Sequence, residues 1–347
     1  MITVRGRIER SLLRGILGMS DRLLRRAVGA PVVRGGRTLD LRVQALLALN
    51  DKAGLKPIAS CTVPEAREML EASAELGMPM APAVTEAPLE LAGRPARVFW
   101  PAGLARGAAP GLLYLHGGGF VIGSVETHAR AAALLAEAAG CAVISLDYRL
   151  APEHPFPAGL QDCLGALRQL LDGAEGYGLD PARIAVGGDS AGGNLSALVA
   201  LATRGDQRRP CAQLLIYPAT DLTYDYPSAD EMGEGFLLTR ADLRWFGGLY
   251  GADPSLWLRP EASPFFEADL RGAPPAFLST AGFDPLRDDG DRYALRLREA
   301  GVPVEHRCEE GLVHGWLMML AIVPAAAEAF AAAAAFLRQR FNPPAAG

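Results

Sequence analysis

The spacing of apolar residues changes character near Met80. Before it, apolar positions recur at three- and four-residue steps, the signature of amphipathic helices. Ile8, Leu12, Leu13, Ile16, Leu17, Leu23, Leu24 and Val28 form a first stripe, which ends in a Gly/Pro-rich stretch at 29–36. Leu39, Leu41, Val43, Leu46 and Leu47 form a second. Ala66, Met69, Leu70, Ala74 and Leu76 form a third, opened by Thr62 as N-cap with Pro64 and Glu65 in the first turn. Past Pro79 and Pro82, Leu89, Leu91, Val98 and Trp100 read as short strands. From there on, short apolar runs alternate with helical segments. Strands are predicted at 111–115, 141–146, 184–186, 212–217, 276–279 and 302–308, and helices at 129–139, 159–171, 192–203, 291–300 and 324–340. Unbroken apolar runs of strand length fit strands buried on both faces. Their alternation with helices predicts an α/β fold with a mostly parallel sheet covered on both sides. Residues 225–258 interrupt the rhythm with Trp245, Phe246, Tyr250 and Trp257 among charges and glycines, which suggests a lid or cap.

Composition narrows the function. The chain has 347 residues, 50% hydrophobic and 21% charged, which is ordinary globular usage. A net charge of −5 gives no broad positive field, so nucleic acid is not an expected partner. Five cysteines (Cys61, Cys141, Cys163, Cys211, Cys308) show no metal-ligand spacing, which predicts reduced thiols, a cytoplasmic location and no metal site. The N-terminal stripe is interleaved with Arg5, Arg7, Arg10, Arg14, Arg22, Arg25 and Arg26. It reads as a helix packed on the body, as a helix lying on a membrane surface through its basic face, or as a targeting peptide; Arg14 breaks the apolar run that a secretory signal requires.

Two motifs carry chemistry. Gly188-Asp189-Ser190-Ala191-Gly192 fits G-x-S-x-G, in which a serine sits on a tight turn between a strand and a helix. With 39 glycines the pentapeptide is weak alone, but a predicted strand precedes it and a predicted helix follows. His116-Gly117-Gly118-Gly119-Phe120 ends an apolar strand, and tandem glycines there free backbone N–H groups to face an oxyanion. In this arrangement an acid and then a histidine follow the serine. Only His306 and His314 qualify. His306 alternates with Val304 and Cys308 inside a predicted strand, whereas His314 follows that strand, so His314 is expected to be the base. Asp284 comes first after the strand at 276–279 and is the expected acid. Asp288 is the runner-up, and Asp288 and Asp289 also suit the first turn of the next helix.

These motifs come in a telling order. His116 to Phe120 is followed by Asp147-Tyr148-Arg149-Leu150-Ala151-Pro152-Glu153-His154-Pro155-Phe156-Pro157-Ala158, then the Ser190 motif, then Asp284-Pro285-Leu286-Arg287-Asp288, then His314-Gly315. The series resembles the hormone-sensitive-lipase family (bacterial family IV) of carboxylesterases, of α/β-hydrolase fold, over residues 39–340. The resemblance implies Ser190 as nucleophile, Asp284 as acid and His314 as base. It implies Gly118, Gly119 and Ala191 as oxyanion donors, with His116, Gly117, Gly188, Asp189 and Gly192 supporting them. It implies a cap made of 1–85 and 222–258 over a core made of 86–221 and 259–347. It leaves Glu153 and His154 structural, and it implies a small ester substrate, no cofactor and a homodimer through edge strands. Three departures stand out: Trp316 replaces the usual Phe and is expected in the pocket wall, Asp289 replaces the usual Glu, and 1–36 exceed the usual start. The expected activity is hydrolysis of short- to medium-chain acyl esters; a lipase, lactonase or amidase would use the same triad. Plant gibberellin receptors resemble the family but lack the catalytic His, so a binding-only role sits poorly with the presence of His314.

Overall fold

Buried strands must pair every backbone N–H and C=O. The apolar runs of this chain meet that demand in one eight-stranded sheet. The structure is a computed structural model that describes residues 4–251 and 253–342, with side chains from residue 11 onward; Ile8, Arg5, Arg7 and Arg10 therefore have side chains outside the described residues. The elements are α1 (Val4–Leu17), α2 (Asp21–Val28), a small hairpin of β1 (Val33–Arg34) and β2 (Arg37–Thr38), α3 (Leu41–Lys52) and α4 (Val63–Ser73). Then come β3 (Val84–Leu91), β4 (Arg94–Pro101), β5 (Ala109–Leu115), α5 (Val125–Ala139), β6 (Ala142–Leu146), α6 (Ala158–Asp172), β7 (Leu179–Asp189), α7 (Ala191–Ala202) and β8 (Gln213–Ile216). The chain finishes with α8 (Pro227–Glu231), α9 (Arg240–Tyr250), β9 (Ala276–Phe283), α10 (Arg287–Glu299), β10 (Val304–Val313) and α11 (Pro324–Phe341).

The sheet order is β10-β9-β8-β7-β5-β6-β4-β3. β5 to β10 run parallel, and β3 and β4 add an antiparallel edge. Alternate residues of each strand serve opposite faces. Leu112 and Tyr114 of β5 join the core that contains α5 and α11; Leu113 and Leu115 join the core that contains α6 and α7. The carboxyl ends of β5, β7, β9 and β10 lead directly into His116, Ser190, Asp284 and His314. Parallel packing thus gathers all the candidate residues at one edge.

Several elements extend past their predicted limits. Helix α5 starts at Val125 because Ser124 and Thr127 form a capping box, and α10 starts at Arg287. Strands β9 and β10 run on to Phe283 and Val313. The basic N-terminal stripe is two helices, broken at Gly18–Ser20. The packed reading of this segment holds for Leu17 and Leu24, which are buried in one core cluster with Met78, Leu317, Leu320 and Ile322. Leu12 and Leu23 from the same stripe face solvent. No described helix is long and apolar enough to cross a membrane.

Burial of the strap formed by α1 and α2 has an energetic consequence. Leu24→Ala should lower stability by about 2 kcal/mol, at the low end for a buried leucine because the short helix can relax around the gap. Leu23→Ala should change it by less than about 0.5 kcal/mol. Urea unfolding of the two variants checks this, and equal effects would show that the strap does not pack as described.

Candidate active site

Strand β7 hands over to α7 in a single residue. Ser190 has φ 55° and ψ −119°, a conformation few non-glycine residues adopt. The turn is that tight because it nests against the end of β5. A Cβ on Gly188 would lie 2.1 Å from the Leu115 carbonyl oxygen, and one on Gly192 would lie 1.9 Å from the same atom. Glycine at these two places is therefore a requirement of close backbone approach.

The Ser190 hydroxyl donates to Nε2 of His314 at 2.9 Å, and Nδ1–H of His314 donates to Oδ2 of Asp284 at 2.7 Å. The other oxygen of Asp284 accepts the backbone N–H of Leu286 at 2.8 Å, which fixes the carboxylate plane. Asp284 is fully buried, and His314 is mostly so. The runners-up are engaged elsewhere. His306 bonds Asp291 at 2.9 Å, and Asp288 accepts the Ser228 N–H at 2.9 Å and pairs with Arg287. Asp289 sits buried against the Thr220 N–H and hydroxyl, and burial pushes its carboxyl well above the usual range. Glu153 pairs with Arg67 on the surface.

The loop after β5 faces the same serine. Gly118 and Gly119 have φ of 120° and 59°, which turns the chain back on itself so that Val121 and Ile122 both donate to the Gly118 carbonyl. The N–H groups of Gly118, Gly119 and Ala191 donate to no protein acceptor among the described residues. A Cβ on Gly119 would lie 2.3 Å from the Phe246 ring, so α9 roofs this loop. His116 is a buried structural ring. Burial, and then the nearby His128, push its pKa down to about 3, and its Nδ1–H donates to the Gly117 carbonyl at 2.8 Å. Its ring stacks on Tyr148 at 4.4 Å, and the Tyr148 hydroxyl donates to the His116 carbonyl at 2.6 Å.

Asp189 joins the two motifs. Its Oδ1 accepts the Tyr114 hydroxyl at 2.6 Å and the Gly117 N–H at 3.0 Å, with His128 Nε2 at 3.4 Å. Burial alone would raise this carboxyl. The His128 charge and the hydrogen bonds from His128 and Tyr114 outweigh that and hold it below the usual carboxylate range. Sequence reasoning assigns no role to His128 or Tyr114. The available signal is Asp189 itself, because a carboxylate closing the apolar run at 184–188 demands buried partners. Trp316 does not line the pocket: it is fully buried, edge-on to Tyr217, whose ring lies 4.6 Å from that of His314.

Comparison with known proteins finds α/β-hydrolases and esterases. A family model described as alpha/beta hydrolase fold matches residues 112–318. Carboxylesterase NlhH of Mycobacterium tuberculosis is 45% identical over 254 residues, 72% of this chain and 79% of that protein. Carboxylic ester hydrolase LipN of the same organism is 39% identical over 308 residues, 84% of this chain and 80% of that protein. Among solved structures, an ester hydrolase from the Lake Arreo metagenome has a TM-score of 0.80 at 39% identity, covering 87% of this chain and 99% of that one. A thermostable esterase from Pseudomonas putida has a TM-score of 0.83 at 30% identity, covering 88% and 98%.

Asp189→Ala should cost about 3–5 kcal/mol, because it strands His128, the Tyr114 hydroxyl and the Gly117 N–H in a dry interior. The sign of the pH effect follows from its low folded pKa. The stabilisation is present above the unfolded carboxylate pKa, about 4, and is lost as pH falls through the folded value. Denaturant unfolding from pH 7 to pH 3 should therefore show a shallower acid limb in the variant, and an unchanged limb would contradict the pairing.

Proposed function

The chain belongs to the hormone-sensitive-lipase family of α/β-hydrolases, and from that membership we propose that it is a serine carboxylesterase using Ser190, His314 and Asp284 on short- to medium-chain acyl esters. The observation that carries the reading is the unbroken hydrogen-bond chain from Ser190 through His314 to a buried Asp284.

Ser190 Oγ attacks the ester carbonyl carbon while its proton passes to Nε2 of His314. Asp284, already bonded to Nδ1–H, stabilises the imidazolium. The carbonyl oxygen becomes an oxyanion held by the N–H groups of Gly118, Gly119 and Ala191, and the N-terminus of α7 adds its positive end. Collapse restores the carbonyl and expels the alkoxide, which takes the proton from Nε2 and leaves as alcohol. Water enters, gives a proton to His314 and attacks the acyl carbon. A second collapse breaks the bond to Ser190, returns the proton to Oγ and releases the carboxylic acid. Every proton in this cycle has a protein or water carrier, so we assign it no cofactor.

The acyl limit rests on the roof. Phe246 stands over Gly119, Phe120 stacks on Tyr250 at 3.8 Å, and the Ala59 N–H donates to Asp242 at 2.8 Å. That last bond ties a turn of the N-terminal segment to α9, which supports reading 1–85 and 222–258 as one cap. A roof held by aromatic stacking and cross-segment hydrogen bonds bounds the space for a chain.

The test is hydrolysis of p-nitrophenyl esters from acetyl to palmitoyl. Activity should peak among the short chains, and Ser190→Ala should lower kcat about 10⁴-fold or more. Near-normal turnover in that variant would end the triad assignment, and a peak at palmitoyl would end the acyl assignment.

A further inference from the structure

The outer face of the N-terminal strap has a composition that the hydrolytic site does not explain. Helix α2 advances 100° per residue, so Arg22, Leu23, Arg25 and Arg26 fall on one arc, opposite the buried Leu24. All four are exposed, Leu23 by 47%. Leu12 of α1, next in the strap, is 63% exposed. Asp21 on the flank is paired with Arg42, and none of the three outward arginines makes an ion pair among the described residues. The first 28 residues hold seven arginines against Glu9 and Asp21, in a chain whose net charge is −5. This segment thus carries a net charge of 7 − 2 = +5, while the rest of the chain carries −10.

We propose that this face docks the enzyme on an anionic lipid bilayer. Three observations select that partner. Unpaired cations at close spacing are drawn to a negative surface, at roughly a fivefold gain in binding for each. Leu23, exposed among them, reaches the apolar layer just below the headgroups, a contact that phosphate-backbone binding does not use. The opposite side of the same helix is anchored through Leu24, alongside Leu17 of α1, in the core cluster that holds Leu317 and Leu320, so docking bears on the body of the enzyme and not on a loose tail. The strap contains none of the residues assigned to ester hydrolysis, so the inference stands apart from that reading.

The full chain would be mixed with vesicles of phosphatidylcholine alone, or of phosphatidylcholine with one third phosphatidylglycerol, and floated at low salt. It should rise with the anionic vesicles, stay behind with the neutral ones, and be released by about 0.5 M salt, which shortens the screening length to a few ångström. The triple variant Arg22→Glu, Arg25→Glu, Arg26→Glu should lose at least tenfold of the bound fraction while hydrolysing a water-soluble ester as the wild type does. Leu23→Ser should weaken flotation with the charges intact. Ser190→Ala should float like the wild type, which separates this test from that of catalysis. Failure to float with anionic vesicles, equal binding to neutral ones, or indifference to the charge reversals would overturn the proposal. Binding to heparin without binding to vesicles would also overturn it.

Discussion

The structure turns on the contact between the carboxyl end of β5 and the turn that carries Ser190. Gly188 and Gly192 lie so close to the Leu115 carbonyl that neither position has room for a methyl group. That closeness places the first helical N–H of α7 beside the glycine loop that follows His116. Asp189 then bonds the loop at Gly117, so the two motifs move as one piece. In the reaction proposed above, a serine hydroxyl and three backbone donors held in one rigid unit would need little reorganisation as charge develops, and in many enzymes such preorganisation lowers the barrier more than any other single effect. Burying a carboxylate beside Ser190 is costly, and His128, Tyr114 and Gly117 together offset the cost.

The other half of the site is built from the sheet edge. Strands β9 and β10 approach so closely that a Cβ on Gly282 would lie 2.1 Å from the Glu310 carbonyl. Asp284 and His314 leave these strands one residue past their ends, already within hydrogen-bond reach of each other. The chain on both sides of His314 is tied back to the N-terminal region. The Ala321 N–H donates to the Gly77 carbonyl at 2.8 Å, and Asp40 donates its N–H to Gly311 at 2.9 Å. Helices α1 and α2 close over this junction. The N-terminal segment is therefore part of what holds the histidine loop in place, which accounts for its buried leucines.

Much of this is legible in the sequence. Ser190, Gly118, Gly119 and His314 announce themselves through turn chemistry and chain order, and the strand and helix rhythm follows directly from burial on two faces. The strand ends are not legible. Gly282 looks like a strand breaker, yet it lies inside β9 where β10 comes close. Glu309 and Glu310 look like loop residues, yet they extend the sheet edge. Apolar spacing alone makes α5 too short, because its first turn is set by the polar pair Ser124 and Thr127. The partners of Asp189 come from β5 and α5, and pairings across the fold leave no local pattern. The family resemblance suggests the pocket wall for Trp316, but a left-handed Gly315 turns it into the core.

The central claim is that one pre-assembled unit makes Ser190 a uniquely activated nucleophile. Stoichiometric trapping with a p-nitrophenyl alkylphosphonate tests it most directly, because Ser190 Oγ displaces p-nitrophenolate and leaves a stable phosphonyl ester in place of the tetrahedral intermediate. Intact mass and peptide mapping should show one adduct per chain, on the peptide that contains Ser190, formed far more slowly when His314 is replaced by alanine. An adduct on another residue, or none on the folded protein, would contradict the account.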